Sequence, residues 1–139
     1  MHVVNALYPA QDQMASFFGA PDDGPFVMVN LLKFKEKATY ADGSDADLSG
    51  REAYQRYGVA VGALVEKLGG RVRYNGAVTG LMIGECAPLW DMVALAEYPS
   101  LAAFQGMATS AEYRAIEHHR SAGLEGQLNI RTKPGLDRL

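Results

Sequence analysis

The apolar segment formed by residues 26–35 constrains this chain more than any other part of its sequence. It reads FVMVNLLKFK, and its length and apolar content predict a buried β-strand. Asn30 lies in the middle of the segment. A buried amide that lacks hydrogen-bond partners costs about 1–3 kcal/mol. Asn30 therefore either hydrogen-bonds to neighbours in the core or lines a pocket.

The other elements are predicted from helix caps, helix breakers and periodicity. Ser49 and Glu52, and again Thr109 and Glu112, have the spacing of capping boxes that begin helices. A long polar loop over residues 36–49 has the character of a lid or a binding loop. In chain order we predict a helix over 9–18, a strand over 26–35, a helix over 49–69, strands over 71–84 and 90–98, helices over 99–107 and 109–122, and a strand over 127–132.

This order predicts an α+β fold of the ferredoxin-like split βαβ type, with an antiparallel four-stranded sheet and helices on one face. We divide the chain into an N-terminal helical extension over residues 1–24, a ferredoxin-like domain over 25–133 and a tail over 134–139. Asn75-Gly76 indicates either a hairpin turn or a bulge within the 71–84 strand.

The predicted strands are apolar on both faces, whereas a sheet with one solvated face alternates apolar and polar residues. Val27, Val29 and Leu31 alternate with Met28 and Leu32 along the first strand. The face without helices therefore needs a cover, and a second copy of the chain, giving a homodimer, is the expected one.

Composition excludes several classes of partner. The net charge of −3 gives no electrostatic basis for binding nucleic acid or an anionic membrane. The sequence has no apolar run of membrane-spanning length and no secretory signal, so we expect a cytoplasmic protein. The single cysteine, Cys86, excludes an internal disulfide.

Arg120 is the strongest candidate for an anion-binding residue. On the helical wheel of the last helix it lies at the centre of the inner face, whereas His118 points to solvent and His119 lies on the flank. A buried guanidinium needs an anionic partner. Three alternatives stay open for Arg120: a structural ion pair, for instance with Glu97, an escape of the side chain to solvent at the helix end, or the binding of an anionic ligand.

The adjacent histidines do not have the i, i+4 spacing of a metal-chelating pair, and we predict no metal and no cofactor. His119 is the candidate acid–base residue because imidazole titrates near neutral pH. Tyr54 and Tyr57 lie on the inward face of the 49–69 helix, and their hydroxyls need partners, for which Asn30 and Arg120 are candidates.

The sequence resembles the domain-of-unknown-function 1330 family, within the superfamily of dimeric α/β-barrels. The residues that carry the resemblance span most of 25–133, and they include Val27–Phe34, Ala53-Tyr54, Tyr57, Gly69-Gly70, Trp90-Asp91, Tyr98-Pro99-Ser100, Glu112-Tyr113 and His119-Arg120. The resemblance implies a ferredoxin-like fold and a homodimer whose sheets close into a barrel. It implies no established activity.

The wider superfamily contains cofactor-free monooxygenases, lactone isomerases and haem-degrading enzymes. Asn30 matches an asparagine of the haem-degrading members, but Tyr98 stands where those have tryptophan, and Glu117 falls where they have histidine. These departures argue against haem degradation.

Two functions remain open from the sequence. In the first, Asn30, Tyr54, Tyr57 and Arg120 bind a small anionic organic ligand between sheet and helices, and the protein is a cofactor-free oxidase, monooxygenase or isomerase with His119 as acid–base group. In the second, the protein is a non-catalytic binding or structural dimer in which these residues satisfy one another.

Overall fold

A computed structural model describes residues 1–135, which form four helices and four strands. The elements are α1 (Gln11–Phe18), β1 (Phe26–Phe34), α2 (Gly50–Lys67), β2 (Arg71–Ala77), β3 (Met92–Tyr98), α3 (Leu101–Ala108), α4 (Ala111–Gly123) and β4 (Leu124–Thr132). Residues 136–139 of the predicted tail lie outside the described part of the chain.

The four strands form one antiparallel sheet in the order β2-β3-β1-β4. With α2 after β1 and α4 before β4, this order is that of the ferredoxin-like fold. The predicted α+β class and topology are confirmed.

Helices α2 and α4 cross in close contact at two glycines. A Cβ atom on Gly123 would lie 2.3 Å from the carbonyl oxygen of Gly50, so neither helix has room for a side chain there. Ala53 and Ala122 are fully buried beside this crossing. The close approach fixes α4 over the sheet, and with it the position of Arg120.

Several predicted boundaries differ from the structure. The last helix begins at Ala111 after the N-cap residue Ser110, whose hydroxyl accepts from the Tyr113 amide, so the expected cap at Thr109 is wrong. The Thr109 hydroxyl instead donates back to the last turn of α3, to the carbonyl of Gln105. Strand β4 begins at Leu124, directly after α4, and not at Gln127.

Strand β2 ends at Ala77, well before the predicted residue 84. Its partner β3 begins at Met92. The preceding Asp91 is bonded to β1: its amide donates to the Leu32 carbonyl at 2.7 Å and its carboxylate accepts from the Phe34 amide at 2.8 Å. The register shift in β2 falls between Val72 and Tyr74, so Asn75-Gly76 is neither the turn nor the bulge.

The sheet has a covered face and an open face. Phe26, Met28, Asn30, Leu32 and Phe34 share the covered face with the helices. The open face carries partly exposed apolar residues from three strands: Val27, Val29, Leu31, Val93, Leu95, Leu128 and Ile130.

The N-terminal segment is packed onto the domain. Phe17 of α1 contacts Phe26 edge-on, with ring centroids 6.1 Å apart, and Ala6 pairs with Gln127 through two backbone hydrogen bonds. No helix within residues 1–135 has the length and hydrophobicity needed to span a bilayer.

Candidate functional site

Asn30 is hydrogen-bonded through both ends of its amide on the covered face of the sheet. Its nitrogen donates to the carbonyls of Ala94, at 3.2 Å, and Met28, at 3.4 Å. Its oxygen accepts from the side chains of Gln127, at 3.3 Å, and Asn129. The polar group in the apolar strand is thus satisfied by the two strands that flank it.

Arg120 is joined to Asn30 through Gln127. The Arg120 guanidinium donates to the Gln127 side-chain oxygen at 3.3 Å, and the Gln127 amide donates to Asn30. Arg120 also donates to the Leu7 carbonyl at 2.5 Å and lies over the ring of Tyr8. The structure therefore brings the two predicted residues into one network, which we call the Asn30–Arg120 network.

Arg120 has no carboxylate partner within residues 1–135. The ion pair with Glu97 considered from the sequence is absent, because Glu97 lies on the open face and binds Arg71 and Arg73 at 3.5 and 3.1 Å. The partly buried guanidinium is instead held by neutral oxygens of Leu7 and Gln127.

Tyr54 and Tyr57 both point inward from α2, as predicted, but neither hydroxyl binds Asn30 or Arg120. Tyr57 pairs with the hydroxyl of Tyr113 on α4 at 3.0 Å. The Tyr54 hydroxyl makes no hydrogen bond to any residue in 1–135. Burial raises the pKa of Tyr54 to about 12, and the nearby charge of Arg120 opposes that rise.

His119 lies outside the Asn30–Arg120 network, in a cluster on the solvent side of α4. Its Nδ1 is 2.7 Å from the hydroxyl of Tyr40, which also accepts from Arg56 at 3.3 Å. Arg56 is in turn paired with Asp45 at 2.9 Å. Desolvation, followed by the charges of His118 and Arg56, lowers the pKa of His119.

The 36–49 loop is also held by backbone hydrogen bonds beside this histidine cluster. The amide of Thr39 donates to the Ala122 carbonyl at 2.9 Å, and that of Ala38 donates to Leu48 at 2.8 Å. The loop is therefore fixed against the end of α4.

Within the described residues, no group of three His, Cys, Asp or Glu side chains is placed to hold a metal ion.

Sequence reasoning missed Gln127, Asn129, Tyr113 and the Leu7 carbonyl. A signal for the first two exists in β4, where Gln127, Asn129 and Arg131 alternate with Leu128 and Ile130. The polar set of this strand shares the face of Asn30, and the apolar set lies on the open face. No local pattern identifies Tyr113 or the Leu7 carbonyl as partners.

Comparison with known proteins gives a family and a structural relative. The domain of unknown function DUF1330 matches residues 44–132. The protein of unknown function RPA0582 from Rhodopseudomonas palustris is 36% identical, with a TM-score of 0.84 over 96% of this chain and 99% of that chain. The structure of methylated RPA0582, also 36% identical, gives a TM-score of 0.87 over 97% of this chain and 98% of that one. No curated protein matches.

Proposed function

This chain belongs to the DUF1330 family, a domain of unknown function, and we propose that it is a homodimer that binds a small anionic organic ligand between its sheet and its helices. The proposed ligand-binding residues are Asn30, Tyr54, Tyr57 and Arg120, and we add Gln127 because it bonds to both Arg120 and Asn30.

The observation that carries the proposal is the charge of Arg120. Within residues 1–135 this partly buried guanidinium faces only neutral oxygens, those of Leu7 and Gln127. A carboxylate binds a guanidinium more strongly than a neutral oxygen does, and it can bind through two parallel hydrogen bonds. A ligand carboxylate would therefore replace the Leu7 carbonyl on Arg120.

The surroundings of Arg120 suit an organic anion better than an inorganic one. The ring of Tyr54 contacts Phe34, with centroids 5.3 Å apart, and its hydroxyl is a free donor and acceptor among the described residues. Leu7 and Leu32 belong to the same apolar cluster. Apolar side chains beside a few polar groups are a composition typical of small-molecule sites.

The homodimer is supported by the open face of the sheet. Val29, Leu31 and Leu95 lie among its apolar residues, while the Glu97 ion pairs and the Lys33–Asp91 pair, at 3.2 Å, lie at opposite ends of it. An apolar centre with a charged rim is the usual pattern of a protein–protein interface. A second copy would cover the face with the same pattern by two-fold symmetry.

In the enzymatic form of the proposal, His119 is the acid–base residue of an oxidation or isomerisation without a bound metal. Its lowered pKa keeps the imidazole neutral at physiological pH, which suits a proton acceptor. Tyr40 is the group that would orient the ring, because Arg56 donates to the hydroxyl that contacts Nδ1.

The test is a titration with simple carboxylates, such as benzoate and acetate, against their uncharged amides. Amide NMR spectra would show whether the resonances around Arg120 shift. We expect Arg120→Gln to weaken carboxylate binding at least about tenfold, since a charged hydrogen bond contributes about 1.5–3 kcal/mol. Arg114→Gln, at an exposed position of the same helix, is the matched control and should leave binding unchanged.

The second candidate, a structural dimer without a ligand, is favoured by the full hydrogen bonding of the Asn30 amide. If no carboxylate perturbs the residues around Arg120, or if amides bind as well as carboxylates, the ligand-binding proposal is wrong. The Asn30–Arg120 network would then be a closed structural feature.

A further inference from the structure

Three consecutive apolar residues at 81–83 project into solvent from the loop that joins β2 to β3. Leu81 is 50% exposed, Met82 98% and Ile83 84%. Single exposed apolar side chains are common on protein surfaces, but a contiguous exposed patch marks an interaction site. We call residues 81–83 the apolar arm.

The root of the apolar arm is held rigidly by the sheet. The Val78 amide donates to the Asp91 carbonyl at 2.9 Å, which closes the loop where it leaves the sheet. Asp91 is itself bonded to Leu32 and Phe34 of the central strand β1. The fold therefore presents the arm from a fixed base while leaving its side chains uncovered.

Tyr74 connects the base of the arm with the open face of the sheet. Tyr74 is the register partner of Leu95 and lies 56% exposed on the edge strand β2. A Cβ atom on Gly76 would lie 2.2 Å from the Tyr74 hydroxyl oxygen, so the ring extends over Gly76 toward the end of β2. An apolar surface thus runs from Leu95 across Tyr74 toward the loop.

We propose that the apolar arm docks onto a second copy of this chain and extends the interface formed by the open face. This inference rests on the proposed homodimer and adds to it a segment that each subunit contributes to its partner. Each arm would lie against the other subunit at the periphery of the paired sheets, because β2 is an edge strand.

The charge of the loop favours a protein partner over a membrane. Residues 78–91 contain no lysine or arginine and two acidic residues, Glu85 and Asp91. Segments that bind anionic lipid surfaces combine apolar side chains with basic ones. A second copy of the chain, by contrast, offers the exposed apolar side chains of its own open face.

The experiment is hydroxyl-radical footprinting of the full-length protein over a dilution series, read by mass spectrometry, with sedimentation velocity at the same concentrations. Met82 should lose most of its reactivity as the dimer forms. Met14 on α1, 46% exposed and remote from the sheet's open face, is the internal control and should react equally at all concentrations.

A pair of variants makes the test independent of footprinting. Met82→Glu should weaken dimerisation at least about tenfold, because it places a charge in an apolar contact. Val59→Glu on α2, at a position that is 73% exposed, adds the same charge elsewhere and should leave the dimer intact.

The outcomes separate the two proposals. If the wild-type protein dimerises but Met82 stays reactive, or if Met82→Glu does not weaken the dimer, the proposed docking of the arm is wrong and the homodimer proposal stands. A monomer at every concentration overturns both. Protection of Met82 only on addition of phosphatidylglycerol vesicles would make a membrane the occupant and would also overturn the arm's role between subunits.

Discussion

The Arg120 guanidinium donates to the backbone carbonyl of Leu7 at 2.5 Å, across 113 positions of sequence. The contact places a segment from the start of the chain against the helix that precedes the last strand. Because the carbonyl is a neutral acceptor, it leaves the charge of Arg120 without a counterion among the described residues. The N-terminal segment thereby occupies the position that an anionic ligand would take in the proposed function.

Removing residues 1–8 should strengthen carboxylate binding. The truncation deletes the Leu7 carbonyl that competes for Arg120, and a net hydrogen bond of about 1 kcal/mol corresponds to about fivefold in affinity. The same truncation should lower the free energy of unfolding by about 1–3 kcal/mol, because Leu7 packs against the apolar cluster that contains Leu32 and because Ala6 pairs with Gln127. Calorimetry with benzoate and urea unfolding measure the two effects.

A variant that lacks only residues 1–4 is the control for this prediction. Those residues are exposed, so the variant should resemble the full chain in both measurements. Weaker benzoate binding after removal of residues 1–8 would show that Leu7 helps to form the site and does not compete for it.

Asn30→Ala should destabilise the protein by about 1–3 kcal/mol in urea unfolding. The substitution leaves the half-buried Gln127 amide without its acceptor on the covered face and removes the acceptor of the exposed Asn129 amide. Asn75→Ala is the matched control, because Asn75 also pairs in register with Ala94 but is exposed. Its effect should stay within about 0.5 kcal/mol, and equal losses for the two variants would contradict the role given to the Asn30 network.

The topology was predictable from the sequence because its signals are local. The capping box of Ser49 and Glu52 and the apolar run of β1 each lie within one element, and both predictions are confirmed. Strand ends were less predictable, because they depend on the partner strand. Strand β2 stops at Ala77, next to the point where Asp91 bonds to Phe34 of β1, and that contact spans 57 positions.

The candidate site was predictable only in part, for the same physical reason. Helical periodicity correctly placed Arg120 and Tyr57 on inward faces. Asn30 was identified because it is a polar residue in the middle of an apolar strand. Their partners depend on register and on the path of the N-terminal segment. The Gln127–Asn30 bond joins residues 97 positions apart, and no pattern within one element encodes it.

Tyr54→Phe and Tyr57→Phe should differ in their effect on stability at neutral pH. Tyr57 shares a hydrogen bond with Tyr113, so removing its hydroxyl should cost about 0.5–1.5 kcal/mol. Tyr54 makes no such bond among the described residues, and its replacement should change the free energy of unfolding by no more than about 0.5 kcal/mol. Similar losses for both variants would show that the Tyr54 hydroxyl has a structural partner.

The same tyrosine gives a prediction at alkaline pH. Burial raises the pKa of Tyr54 from 10.0 to about 12, so the folded state holds the phenolic proton more tightly than the unfolded state. The resulting stability is fully present below pH 10 and is lost as the pH rises toward 12. Tyr54→Phe should therefore lose less stability than the wild type over this range in urea unfolding. Parallel curves for the two proteins would contradict the raised pKa of Tyr54.

His119 should titrate below its ordinary pKa of 6.5, and Arg56→Gln should move that pKa upward. Desolvation is the main cause of the lowered pKa, and the charges of His118 and Arg56 add to it. Replacing Arg56 removes one repulsive charge and leaves the Asp45 carboxylate, which favours protonation, without its partner. Because the folded state binds the proton more weakly, the contribution of His119 to stability is present above pH 6.5 and is lost as the pH falls through the folded-state pKa.

Imidazole proton NMR measures the pKa of His119 directly, and Arg114→Gln on the same helix is the control for a general change of charge. An unchanged His119 pKa in Arg56→Gln would show that the Tyr40–Arg56 contact does not reach the imidazole electrostatically.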